Sequence, residues 1–408
     1  MRIRSITCFV HPRWPISENI LQKAGIFARH AKSAFENAGY QVQTLRLATP
    51  PFPEFLAPEN ILHSLTRISM MAHGEGFDYV SLGPAQTNDM ESYTLIPELL
   101  SKSSMIFCSG HLTTPEGEIC LPAVRACAEV IQRAAHLEKD GFANLRFTAL
   151  ANVQPWSPFF PAAYHQIGNP AFALAIEGAD LAVNAFSEAA SLADARQRLT
   201  KSLEKHAGKL EKVAENLAKI YPFIFKGIDF SLAPFPQPSI SMGNALEKLG
   251  LSAFGYSGTL AAAAFLTDTI DQASFKRTGF SGLMLPLLED STLAQRGAEG
   301  ALTVTDLLLF SAVCGTGLDT IPIPGDTSVD QLQGVLLDIA ALSLRLKKPL
   351  TGRLMPVPGL QAGDVTDFNF EYFANSKVLA LPSRGLTGLW AGNESIKISP
   401  RELKSKQD

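Results

Sequence analysis

No run in this chain approaches the roughly 18 consecutive apolar residues that cross a bilayer. The apolar stretch at residues 6–10 is too short for a signal-peptide core, and no small-residue cleavage site follows it. The expectation is a cytoplasmic protein with no membrane partner. Charge of one sign is also lacking: 35 Lys and Arg oppose 39 Asp and Glu, a formal net charge of -4. No basic surplus exists to neutralise a polyanion, so nucleic acid is not an expected partner. Cysteine is sparse. Cys8, Cys108, Cys120, Cys127 and Cys314 are odd in number and include no Cys-x-x-Cys spacing. A disulfide framework and a structural zinc site are therefore not expected, and at least four of the five read as buried small apolar residues. A dinucleotide fingerprint is missing too. Gly315 and Gly317 form a Gly-x-Gly without the third glycine or the strand-first order, which argues against NAD.

What is present is globular: 408 residues, 46% apolar and 18% charged, enough for one large α/β domain or two modest ones. Strand-like runs at 3–10, 41–47, 79–82, 105–108 and 145–153 alternate with helical patterns at 17–38, 59–73, 90–102 and 121–137. That order predicts parallel strands covered by helices. Residues 187–220 differ. Leu192, Leu199, Val213 and Ile220 occupy one heptad position and Leu203, Leu210 and Leu217 the other, with Arg196 and His206 interrupting. The spacing predicts one helix of roughly 50 Å, N-capped by Ser187 with Glu188 in the first turn. It reads as a wall helix joining two halves, or as a coiled coil that makes a homo-oligomer. Alternation then resumes, with strands at 228–233, 280–288, 318–323 and 350–357 and helices at 241–249, 259–273, 292–299, 303–313 and 328–346. Two βα-rich halves, 1–186 and 223–396, around a connecting helix at 187–222 suggest a closed α/β barrel. A polar tail follows at 397–408.

Several segments carry candidate chemistry. In VCGTGLDTIPIPGDT (313–327), Cys314 precedes Gly315 and Gly317 on a loop that enters a strand. Glycines let backbone approach a ligand closely, and a thiol there could act as nucleophile if its pKa were lowered. A buried structural cysteine is the alternative. Further on, Thr327 and Asp330 have capping-box spacing, and a helix start there could take an anion, although Asp326 would oppose it. Glu289 and Asp290 end an apolar strand, where barrels place reactive groups. They read as acid–base or metal-binding groups, or as a helix cap and a solvated acid. In the aromatic- and proline-rich loop 152–169, Asn152, Trp156, Tyr164, His165 and Asn169 concentrate after a strand. Ser257, Gly258 and Thr259 open an alanine-rich helix and offer N–H groups to an anion. Arg353 reads as a carboxylate or phosphate clamp, or as the partner of a nearby acid. Asp364 and Asp367 add loop carboxylates without a recognisable metal spacing.

Seven segments together resemble the DUF711 family, also called UPF0210: RIRSIT, SPFFPAAYH, DFSLAPFPQ, GYSGTLAAAAFLTD, FSGLMLPLLED, VCGTGLDTIPIPGDT and MPVPG. They fall in the expected order and cover most of the chain. The resemblance implies a pyruvate formate-lyase-like barrel of ten strands in two parallel halves, with a loop reaching inside. It does not imply radical chemistry. Ser383-Arg384-Gly385-Leu386 does not match the Arg-Val-x-Gly-Tyr-type segment of glycyl radical enzymes, and fold does not dictate function.

The favoured expectation is an enzyme without an organic cofactor, acting on a small polar or anionic metabolite. Cys314, His165, Glu289 and Asp319 would serve as nucleophile or acid–base groups, with Arg353 and the helix starts holding the anion. A metabolite-binding regulator without catalysis is the alternative. Any metal is expected to be a hard divalent cation such as Mg or Ca, on oxygens from among Glu289, Asp290, Asp319, Asp326, Asp364 and Asp367. Closure of the barrel predicts that Cys314, His165 and Glu289 or Asp319 line one pocket, walled by Phe159, Phe160 and Met284.

Overall fold

The computed structural model describes residues 1–56 and 60–400. Residues 401–408 of the expected polar tail lie outside the described residues. The first half runs β1 (Arg2–Phe9), α1 (Glu18–Asn37), β2 (Val42–Pro51), α2 (Ile61–Gly74), β3 (Tyr79–Gly83), α3 (Met90–Lys102), β4 (Ile106–His111), β5 (Glu118–Cys120), α4 (Leu121–Ala135), β6 (Phe147–Ala151), β7 (Ala171–Glu177) and α5 (Ala179–Ser187). The rest runs α6 (Leu192–Ile220), β8 (Ile224–Ala233), α7 (Met242–Lys248), α8 (Thr259–Gln272), α9 (Ser291–Ala298), α10 (Val304–Phe310), β9 (Gly317–Pro324), α11 (Val329–Leu346), β10 (Leu350–Val357) and β11 (Ser395–Lys397).

Nine strands form one sheet in the order β8-β7-β1-β2-β3-β4-β6-β10-β9, and β5 pairs with β11 in a small second sheet. The central strands β1, β2, β3, β4 and β6 are mutually parallel. The pairs β7–β8 and β9–β10 are parallel within themselves. They join the central strands through antiparallel contacts, β7 to β1 and β10 to β6. The sheet is thus mostly parallel and helix-covered. No helix among the described residues is long and apolar enough to cross a membrane.

The sequence reading placed a strand at 280–288. That segment forms no ladder, although Pro286 makes a parallel bridge to Asp319 in β9 and Arg277, just before it, makes one to Ile228 in β8. A side chain explains the missing ladder. The Asp229 carboxylate accepts the backbone N–H groups of Phe280 and Ser281, each at 2.9 Å, in place of a neighbouring strand. Pro286 has no N–H to give. The ordered sheet therefore has nine strands, not the ten expected.

Strand β7 escaped the sequence reading because both of its faces are apolar. Phe172, Leu174 and Ile176 join the main core, whereas Ala171 and Ala173 face a separate cluster with Phe9, Ala48, Phe107, Phe160 and Ala163. The period of two separates large from small residues rather than apolar from polar. The small side makes room for the loop 152–169, which lies across that face. Ser81 donates its hydroxyl to the Ala163 carbonyl at 2.7 Å, and the His165 N–H reaches the Thr49 carbonyl at 2.9 Å.

The helix expected over 187–220 starts later, at Leu192, and runs unbroken to Ile220, with Ser191 rather than Ser187 as its cap. Ser187 ends α5, and Ser191 caps α6 by accepting the Asp194 N–H at 3.1 Å. Asp194 in turn accepts the Ala190 N–H at 3.0 Å, which fixes the break. Helix α6 buries Leu199, Leu203, Leu210 and Leu217 against its own chain, while Leu192 and Ile220 are 57% and 72% exposed. Each buried leucine contributes about 1.5–3 kcal/mol. Most of the heptad seam is therefore used internally. The capping box at α11 is formed by Ser328 and Gln331, not by Thr327 and Asp330. Thr327 instead donates to the Pro324 carbonyl at 2.6 Å.

Candidate functional site

The loop 152–169 separates two cavities. Its residues Pro158, Phe159 and Phe160 wall the first, and Asn152, Tyr164 and His165 wall the second.

The first cavity has a volume of about 100 Å³. Three arginines line it: Arg4 from β1, Arg46 from β2 and Arg353 from β10. Two of them are committed. Arg4 pairs through Nη2 with Glu289 Oε2. Arg353 Nη2 donates to Glu289 Oε1 at 2.9 Å, and its Nε donates to Asp319 Oδ1 at 2.5 Å. Burial alone would raise the Glu289 carboxyl pKa, but Arg4 and Arg353 outweigh it and hold the group below the usual range. Asp319, wholly buried beneath Arg353, is pushed up by burial. Arg353 opposes that shift and the Glu289 charge adds to it.

Arg46 is different. Its Nε donates to Thr44 Oγ1 at 2.9 Å, and among the described residues no carboxylate lies within ion-pair distance of it. Its guanidinium sits 5.0 Å from the ring centre of Phe160 and 5.8 Å from that of Tyr79. Burial and the Arg4 charge lower its pKa to about 10. Phe159, Phe160 and Met284 form apolar wall. The arrangement is one planar cation with free N–H groups, held between aromatic faces beside a saturated ion-pair cluster. It can take an anion with an apolar body.

The second cavity lies where β2, β4 and β6 end, and Pro51, His111 and Asn152 line it. Asn152 adopts φ +53°, and its N–H donates to Thr113 Oγ1 at 3.1 Å. That turns the chain out of β6 and into the loop. The Trp156 N–H donates to the Tyr164 carbonyl at 3.0 Å and closes the loop on itself. His165 is wholly buried, and neither ring nitrogen has a hydrogen-bond partner. Its ring meets the Trp156 ring edge-on at 4.9 Å, and the His111 ring meets that of Tyr164 at 5.7 Å. Burial lowers both histidines to about 4, so both imidazoles are neutral at neutral pH.

The remaining candidates scatter. Cys314 is buried in the main core and lines neither cavity; its carbonyl accepts Lys348 Nζ. Cys314, His165 and Glu289 therefore share no pocket. Gly315 packs against Gly282, where a Cβ would meet backbone at 2.9 Å. Gly317 adopts φ +99° against the Thr351 carbonyl. Both glycines are needed for that close approach of chains. Asp290 caps two helices at once. It accepts the N–H groups of Thr292 and Leu293 at the start of α9, and the Met242 N–H and Ser241 hydroxyl at the start of α7. Ser257 and Gly258 are exposed at the start of α8, and Thr259 Oγ1 accepts the Gly255 N–H at 3.0 Å. Asn169, Asp326, Asp364 and Asp367 are exposed and outside both cavities. Gln361 donates to Asp326 through its side chain and to Asp364 through its backbone. No group of three or more His, Cys, Asp or Glu suited to a metal ion occurs among the described residues. The sequence reading missed Arg4, Arg46, Asp229 and His111. The available signal was a basic residue inside an otherwise buried strand, as in RIRSIT and QTLRLATP.

Comparison with known proteins agrees with the motif resemblance. The family described as "Uncharacterised ACR (DUF711)" matches residues 1–374. The UPF0210 protein of Pyrobaculum aerophilum is 31% identical over 357 residues, covering 82% of this chain and 78% of that protein. The UPF0210 protein of Acetivibrio thermocellus is 32% identical, covering 67% and 63%. That of Neisseria gonorrhoeae is 30% identical, covering 67% and 62%. The chain belongs to the uncharacterised DUF711 family, whose curated relatives carry the designation UPF0210.

Proposed function

We propose that this protein is an enzyme that binds a small, apolar-bodied carboxylate or phosphate in the arginine-lined cavity. The observation that carries this reading is Arg46: a guanidinium facing the cavity between two aromatic rings, with no acid of its own. A desolvated cation without a counter-charge is unfavourable in isolation, and an anionic ligand reverses that. The contacts of segment 276–288 with both β8 and β9 support closure of the sheet into a ten-stranded barrel, which would place the cavity inside it.

In the enzymatic reading, the Glu289 carboxylate takes the acid–base role, with Arg353 and Asp319 as positioning residues. Opposite pKa directions in neighbouring carboxyls are a common device for such work. Cys314, outside the cavity, takes no part. A binding role without turnover is the second reading, favoured by the fact that arginines hold both Glu289 oxygens.

Titration calorimetry with 3-phenylpropionate and with its neutral amide tests the anion site. Saturable binding of the acid is expected, weakened roughly tenfold or more in Arg46→Met. Equal binding of acid and amide overturns the proposal. Deuterium exchange beside the carboxylate of the bound acid, followed by NMR in D2O, separates the two readings. Exchange that disappears in Glu289→Gln supports catalysis, and none in the native protein supports binding alone.

A further inference from the structure

The second cavity has a chemistry that the first lacks. Among the described residues, Glu54 is the sole charged one on its lining, and Gln86 donates to that carboxylate at 3.0 Å. The remaining polar lining consists of amides, hydroxyls and the rings of His111 and His165. His165 is the informative residue, because it is wholly buried with both ring nitrogens unpaired. An unpaired buried donor or acceptor is unfavourable, and native proteins rarely leave one without a reason. Nothing in the fold required a histidine there. Its backbone N–H anchors the loop to Thr49, a role that any residue except proline could fill. The Asn152 side chain is half-buried on the same lining and makes no hydrogen bond to another described residue.

We infer that the cavity at the ends of β2, β4 and β6 is a binding site for a neutral, hydroxyl-bearing ligand of the sugar or polyol class, read by His165 and Asn152. A neutral imidazole offers one donor and one acceptor, and a carboxamide offers both. Paired hydroxyls present the same mixture. An anion would meet no cation among the described lining residues and would face Glu54. A cation would meet one carboxylate already bonded to Gln86. The Tyr164 ring gives the face of such a ligand an apolar surface, and its hydroxyl is occupied by the Val153 carbonyl at 2.9 Å. This inference does not rest on the anion site, since the two cavities lie on opposite sides of the loop.

The test is saturation-transfer NMR and calorimetry on the full chain, with myo-inositol and D-ribose as probes and acetamide as control. Saturable binding of at least one polyol is expected, about tenfold weaker in His165→Phe, which is the loss of one well-made buried hydrogen bond. Asn152→Gly keeps the left-handed backbone, removes the amide and should weaken binding in the same direction, which guards against a misfolded His165→Phe. Arg46→Met should leave polyol binding unchanged. Failure of both polyols to bind overturns the inference, as does full affinity in both variants or binding of acetamide alone. Loss of polyol binding in Arg46→Met would place the ligand in the other cavity and overturn it equally.

Discussion

The two cavities share a wall but solve the problem of burying polar groups in opposite ways. Arg4, Arg353, Glu289 and Asp319 come from distant parts of the chain, and they neutralise one another in a region of low dielectric where unpaired charge is unfavourable. Arg46 is the exception in that set. On the other side of the loop almost every group is uncharged, and burial holds His111 and His165 neutral without counter-ions. A cluster of paired charges is rigid and intolerant of any single loss. A neutral polar lining tolerates substitution but leaves hydrogen bonds for a ligand to complete. The first design suits the orientation of a charged molecule, and the second suits reading a pattern of hydroxyls.

The largest expected difference follows from the pairing itself. Glu289→Gln leaves Arg4 and Arg353 without their shared carboxylate, and the loss should be about 3–5 kcal/mol in urea unfolding. His165→Phe removes no charge and should change stability by about 1 kcal/mol or less. A small effect at Glu289 would show that water reaches the cluster and that the charges are not truly buried.

Acid separates the cavities next. A histidine lowered to about 4 binds no proton in the folded state between its unfolded value, about 6.5, and 4. The unfolded chain does bind one there, so stability falls as pH drops through that window. Each of His111 and His165 should contribute on the order of 2 kcal/mol to the fall. His11 and His206 are shifted in the same direction by burial and add to it. Glu289 acts lower. Its carboxyl is depressed, so its contribution is present above the ordinary glutamate value and is lost as pH falls below it. A double His111→Phe, His165→Phe variant should therefore flatten the decline between about pH 6.5 and 4.5 while keeping the steep loss below it. An unchanged upper limb would mean that the histidines titrate freely.

The thiols sharpen the boundary of both sites. All five cysteines are buried, and burial raises Cys8, Cys108 and Cys127, the second to about 12. Cys314 lies in the core, so iodoacetamide should label it only after unfolding, and Cys314→Ala should lose about 1–2 kcal/mol. Rapid native labelling of Cys314 would restore it as a candidate nucleophile and weaken the division into two cavities.

Much of the fold was legible because its helices carry clear periodicity and its first strands alternate with them. Strand β7 was not, since small alanines on one face and large apolar residues on the other give no polar signal. The segment 280–288 misled for the opposite reason: its apolar run reads as a strand, while Asp229, fifty-odd residues away, takes its hydrogen bonds. Of the candidate residues, Glu289, Asp319 and Arg353 meet through ion pairs that one-dimensional spacing cannot specify. Asp290 stood open between a reactive acid and a helix cap, because the two are the same residue in sequence, and the structure gives the cap. Arg46 was overlooked because a single arginine in a strand usually marks an exposed edge, and only the closed surroundings turn it into a cavity group.

Arg46 also gives the finest test of the contrast. Its guanidinium has no acid partner, and burial together with the neighbouring Arg4 and Arg353 charges opposes its ionised form. A folded-state pKa below the unfolded one means that the positive charge disfavours folding wherever both forms are protonated. Arg46→Met keeps an unbranched side chain against Phe160 and removes the repulsion, at the loss of two cation–π contacts worth about 0.5–1 kcal/mol each. The repulsion is the larger of the two, so Arg46→Met should not destabilise the fold, while binding of 3-phenylpropionate falls by roughly tenfold or more. Arg353→Met should do the reverse and destabilise by about 3–5 kcal/mol, because it strands buried Asp319 and removes one of the two partners of Glu289. Urea unfolding of both variants under one buffer reads the difference directly. If Arg46→Met destabilises as much as Arg353→Met, then Arg46 belongs to the structural network, and the argument that it is held for a ligand falls.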